Sequence, residues 1–149
     1  MKILKHPHPS LSKTAERINH VNSDIITLAG NMLYTMNENG GLGLAAPQVD
    51  KLLQLIVIDT RQVEPNGSLE FIVNPVITNK EGEASIDEGC LSFKKGKTVK
   101  IPRAAKITVD FIGLDNKPVT KTFEGITAIC VAHEMDHLIG KTLADYENL

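Results

Sequence analysis

Between residues 52 and 123 the chain carries one strand-like run after another, and helical periodicity appears only on either side. That ordering constrains the fold more than any other feature. Strands grouped between helices, without strand–helix alternation, predict an α+β domain built on antiparallel sheets. Residues 52–59 and 69–78 flank the turn cluster Glu64-Pro65-Asn66-Gly67-Ser68 and read as an antiparallel pair. Residues 100–111 and 117–123 flank Gly113-Leu114-Asp115-Asn116 and read as a second hairpin. Within residues 106–111 the apolar side chains alternate, as a sheet with one buried face requires. Upstream, Asn22-Ser23-Asp24 offers an N-cap. Ile25, Leu28, Ala29, Met32, Leu33 and Met36 then form one apolar helical stripe that stops at Asn39-Gly40-Gly41. A helical pattern returns at Gly125 and ends at Gly140, which serves as a C-cap. The first 22 residues, with Pro7 and Pro9, read mostly as loop.

A length of 149 residues predicts one domain spanning residues 1–149. Leu, Ile, Val and Phe account for 44 of them, well above the ~20% level below which chains tend to stay disordered. The net charge of −2 lacks the basic excess of a nucleic-acid binder. The one basic cluster, Lys94, Lys95, Lys97 and Lys100, has no interleaved aromatics and reads as a solvated loop face. The N-terminal apolar stretch is too short for a signal peptide, and residues 52–58, interrupted by Gln54, fall short of a ~20-residue membrane span. The expectation is a soluble, cytoplasmic protein with no nucleic-acid or membrane partner. Two cysteines, Cys90 and Cys130, are then more useful to a metal or a reaction than to a disulfide.

The strongest chemical signal is His133-Glu134-Met135-Asp136-His137. On a helix the two histidines lie about 40° apart around the axis, so both imidazoles can reach one ion. Glu134 lies about 60° further round and can reach a water on that ion without ligating it. With Ile126 at zero, Cys130 falls at about 40°, His133 at about −20°, His137 at about 20° and Ile129 at about −60°. The metal face thus runs into an apolar face of Ile126, Ile129 and Cys130, which predicts an apolar substrate side chain beside the cleaved bond. A catalytic ion takes three protein ligands and leaves one position open. Cys130, three residues before His133 on the same helix, is cramped as the third. Cys90, in Glu88-Gly89-Cys90-Leu91-Ser92 where Gly89 permits close backbone approach, is the better choice. Arg103 pairs with Glu88 or Asp136 in this reading; Asp136 itself points away from the metal face, and His6, His8 and His20 are solvated. A third segment, residues 41–48 (Gly-Leu-Gly-Leu-Ala-Ala-Pro-Gln), carries the small residues a strand needs when another backbone lies against it. That backbone is either a core crossing or a peptide substrate adding as a strand.

Residues 41–48, 88–92 and 133–137, in this order, resemble the three signature motifs of the peptide deformylases, and the resemblance extends through Pro9-Ser10-Leu11 and Ile101-Pro102-Arg103. It implies a metal-dependent amidase that removes the formyl group from the N-terminal formyl-methionine of nascent chains and releases formate. Cys90, His133 and His137 would hold one divalent ion per chain, ferrous iron by the family's habit, with nickel, cobalt or zinc as substitutes. Glu134 would move the proton from water to the departing amine. The Gln48 side-chain amide and the Leu91 backbone N–H would stabilise the oxygen that becomes negative, and Leu42, Gly43 and Gly89 would contact the substrate backbone. A monomer working in the cytoplasm, or in a bacterial host's cytosol if phage-encoded, is expected. Only twelve residues follow His137, as in short phage-encoded relatives, which argues against direct ribosome docking. Ala132 stands where the family usually has Gln, and Phe93-Lys94-Lys95-Gly96 replaces an apolar residue, Pro and Gly. Two competing readings are a zincin-type peptidase and a non-catalytic protein whose closed metal site takes Cys130 as a fourth ligand.

Overall fold

A computed structural model describes residues 1–147. Its elements run α1 (Ser23–Glu38), β1 (Gly43–Ala45), β2 (Leu55–Asp59), β3 (Leu69–Glu81), β4 (Asp87–Glu88), β5 (Val99–Lys100), β6 (Lys106–Ile112), β7 (Pro118–Glu124) and α2 (Gly125–Leu138), with short 3-10 turns at Pro9–Ser12, Ala46–Val49 and Leu143–Tyr146. The larger sheet is antiparallel in the order β1-β2-β3-β6-β7, and β4 pairs with β5 in a small second sheet. This is the expected α+β architecture. No helix among the described residues is long and apolar enough to cross a membrane.

Each face of the large sheet is covered by one helix, and β2 shows why. Leu55 and Val57 point to the α1 side and meet Leu28, Met32 and Met36, while Ile56 and Ile58 point to the α2 side and meet Ala128 and Val131. These four of the five β2 residues are fully buried, so both parities of the strand must be apolar there, and this is the continuous run seen in the sequence. Helix α1 starts where Asn22 Oδ1 accepts the Ile25 N–H at 3.0 Å, the N-cap bond that Asn offers when its own backbone stays extended.

One expectation needs correction. Residues 100–111 are not one strand: Pro102, which cannot donate to a ladder, divides β5 from β6, and Arg103 makes an isolated bridge to Ala84. The first 22 residues are mostly loop, as expected, and that loop is tightly held. Asn74, at φ 53 in a register shift of β3, gives both amide atoms to the backbone of Ile18, and Asn116, at φ 65, does the same for Val21. His6 and His8 are exposed, as expected, and each still has one contact: the His6 ring stacks on Phe93, and His8 Nδ1 accepts the Ser10 N–H.

Candidate metal centre and adjoining cleft

Helix α2 carries His133, Glu134 and His137 on the side facing β1, and the loop after β4 brings Cys90 to meet them. One donor atom from each of Cys90, His133 and His137 lies within 4.8 Å of the other two. Cys90 Sγ and His137 Nε2 are 3.5 Å apart. Cys130 is not in this group. Burial pushes its thiol up to about 12, which makes it an inert apolar side chain. The three donors fit a transition metal. Two imidazoles and a thiolate suit iron, zinc, nickel or cobalt, and burial drives His137 down to about 3, so its imidazole is neutral and free to ligate.

The surroundings aim these donors. His133 Nδ1 is 2.9 Å from Glu88 Oε1, which turns Nε2 toward the cluster. Burial opposes a proton on His133, but Glu134, Cys90 and Glu88 outweigh it and raise the group to about 10. The site is thus strongly attractive to positive charge. Glu88 is gripped by both Nε and Nη2 of Arg103, at 2.7 and 2.9 Å, and Arg103 Nη1 donates to Asp136 Oδ2 at 3.0 Å. Both of the sequence-derived partners of Arg103 are therefore real, and simultaneous. Despite its burial, Glu88 is held below the usual carboxylate range by His133 and Arg103.

Glu134 is buried beside these donors, and its Oε1 has no hydrogen-bond partner among the described residues. Burial raises its carboxyl to about 7, the range in which a group both takes and returns a proton at neutral pH. Gly43 permits this placement: a Cβ there would lie 2.5 Å from Glu134 Oε2. Gln48 is held by Oε1 accepting the Ala45 N–H at 2.9 Å, which fixes which end of the amide is nitrogen. Its Nε2 donates to Ser92 Oγ at 3.0 Å and lies 3.5 Å from Cys90 Sγ.

A cleft of about 860 Å³ opens above the cluster, lined by Leu42, Gly43, Gln48, Gly89, Cys90, Leu91, Ile129, Cys130, His133 and Glu134. Ile126 does not line it. It lies one turn nearer the start of α2, so only Ile129 and Cys130 extend the metal face into the cleft. Strand β1 is the sheet's edge, paired on one side with β2 only, and the adjoining Leu42 and Gly43 face the cleft. Of the basic cluster, Lys94, Lys95 and Lys97 are exposed at the cleft rim. Sequence reasoning missed Ser92, which orients Gln48, the Glu88 contact to His133, and Lys5, whose Nζ donates to the Leu91 carbonyl. An acidic residue two positions before the candidate Cys ligand was the available signal for Glu88; Lys5 and Ser92 left none.

Residues 1–148 match the family described as polypeptide deformylase. The fold is similar to that of a peptide deformylase from Legionella pneumophila at 39% identity (TM-score 0.89), covering 97% of this chain and 83% of that one. It is also similar to the enzyme of the Vibrio parahaemolyticus bacteriophage VP16T, solved with actinonin, at 38% identity (TM-score 0.85), covering 95% and 99%. A peptide deformylase from Ehrlichia chaffeensis superposes with a TM-score of 0.92 at 30% identity, covering 98% and 87%.

Proposed function

The chain belongs to the polypeptide deformylase family, and from that premise we propose that it is a single catalytic domain hydrolysing the formyl amide of N-terminal formyl-methionine on nascent chains in the cytoplasm. The observation that carries this reading is the Cys90–His133–His137 cluster, its two histidines buried, with Glu134 beside it on the floor of a cleft edged by an open strand. When bound there, a divalent ion, ferrous by family habit, supplies a Lewis acid and makes water a better nucleophile at neutral pH.

The chain's own residues do the rest. Glu134 takes a proton from the attacking water. As the bond between the formyl carbon and nitrogen breaks, it hands that proton to the departing amine, leaving formate and a free N-terminus. Gln48 Nε2 has one N–H on Ser92 and directs the other to Cys90 Sγ, at the edge of the cluster. That N–H and the Leu91 backbone N–H are the donors for the oxygen that becomes negative, each of the kind worth ~3 kcal/mol of barrier. The free edge at Leu42 and Gly43, opposite Gly89, suits a substrate added as a strand, with its methionine side chain against Ile129 and Cys130. The donor group contains three protein ligands and omits Cys130, which favours an open catalytic site over a closed structural one.

The test is formate release from an N-formyl-Met tripeptide by anaerobically prepared, nickel-loaded protein. Formate equal to the new amine, with the unformylated peptide left intact, is the expected result. One bound metal per chain and no formate would overturn the proposed reaction.

A further inference from the structure

We propose that Tyr146 is a positioning residue for metal retention, acting through a buried chain of groups that ends on the outer nitrogen of His133. This rests on the reading of Cys90, His133 and His137 as metal ligands. Tyr146 lies in the last described turn, outside the cleft and outside the three motifs at residues 41–48, 88–92 and 133–137. Its hydroxyl nevertheless donates to Asp136 Oδ2 at 2.7 Å. The same oxygen accepts from Arg103 Nη1, whose other two nitrogens clamp Glu88, and Glu88 Oε1 meets His133 Nδ1. Each link holds the next by a direct hydrogen bond, from the C-terminal turn to a ligand's ring.

The chain is dry enough for each link to count. The Arg103 and Glu88 side chains are 7% and 3% exposed, and that of Asp136 is 17% exposed. Asp136 Oδ2 therefore depends on Tyr146 and Arg103 for its donors. Without the hydroxyl, the carboxylate draws more fully on Arg103, whose grip on Glu88 uses the adjoining nitrogens of the same rigid fork. The Tyr146 ring also caps that fork, with the guanidinium carbon 5.4 Å from its centroid.

The turn that carries Tyr146 is itself built to hold still. Thr142 and Asp145 cap it reciprocally, with Thr142 N–H to Asp145 Oδ2 at 2.8 Å and Ala144 N–H to Thr142 Oγ1 at 3.2 Å. Leu143 is buried with Phe93 and Ile101, the cluster against which Cys90 packs. One short turn thereby braces both sides of the centre, the thiol through packing and His133 through hydrogen bonds.

The test uses full-length, cobalt-loaded protein mixed with excess EDTA, with metal release followed over time. Tyr146→Phe keeps the ring and removes only the hydroxyl. It is expected to release metal several-fold faster, less than the roughly 10–100-fold typical of losing a ligand's direct outer partner. Asp136→Asn is expected to release at a similar rate, and the double variant no faster than Asp136→Asn alone, because both break one chain. A purely structural tyrosine would instead lower the unfolding midpoint of the metal-free protein and leave the release rate alone. That result, or additive effects in the double variant, would overturn the proposal while leaving the metal reading intact. Wild-type protein that takes up no cobalt would overturn both.

Discussion

At the residue scale the site turns on one pair, Gly43 and Glu134. The glycine is not there for backbone freedom; a single methyl on it would meet Glu134 Oε2 at 2.5 Å and Cγ at 3.0 Å. The buried carboxylate would have to move, and a shift of this size at a reacting group commonly costs about 10²-fold in rate. Gly43→Ala is therefore expected to keep its metal and its fold and to lose about two orders of magnitude in turnover. Glu134→Gln should lose 10²–10⁴-fold, the usual range for a general acid–base, also with metal retained. Formate release and metal content on the same samples check both. Near-normal turnover in Glu134→Gln would remove the proton shuttle from the mechanism, and normal turnover in Gly43→Ala would show that the carboxylate has room to spare.

At the element scale, the N-terminal segment is the least expected contributor. Leu4 N–H donates to the Gln48 carbonyl and His6 N–H to the Ser92 carbonyl, both at 2.7 Å, while Lys5 Nζ takes the Leu91 carbonyl and His6 stacks on Phe93. The segment straps together the two segments that carry Gln48 and Leu91, the donors proposed above for the oxygen that becomes negative. Lys5→Met is expected to lower kcat about tenfold, equivalent to about 1.4 kcal/mol of barrier, with KM and metal content unchanged. An unaltered kcat would mean that the backbone bonds alone hold the strap. None of this was legible in the sequence, because backbone donors and a lone lysine leave no period or motif. The legible parts are those fixed by short-range rules: the Asn22 cap and apolar stripe of α1, the two hairpins, and the histidine spacing on α2. The break after Pro102 was visible in principle and was overrun by the apolar residues on either side. The contact between Glu88 and His133 spans 45 residues and is decided by sheet pairing, beyond the reach of local spacing.

At the scale of the whole molecule, an ion at this centre would join parts that the core clusters keep apart, since Cys90 packs with Phe93 and Ile101 whereas α2 packs against the large sheet. A ligand bound only by the folded state adds RT ln(1 + [L]/Kd) to stability, so metal should raise the unfolding midpoint and chelation should lower it. The sign of the pH dependence follows from His133. Its proton affinity is raised to about 10 in the metal-free protein, so at neutral pH an ion must displace that proton, and metal affinity weakens as pH falls. Each proton displaced by the ion costs about tenfold in Kd for each pH unit, about 1.4 kcal/mol at fixed excess metal. The metal-free protein behaves oppositely. Its stabilisation by protonated His133 is complete below about 6.5, the ordinary histidine value, and is lost as pH rises toward about 10. The gap between metal-loaded and metal-free unfolding midpoints should therefore widen from pH 6 to pH 8 and vanish at every pH in Cys90→Ala. A gap that is constant with pH would mean that the ion enters without displacing a proton, and one that persists in Cys90→Ala would mean that the ion lies elsewhere.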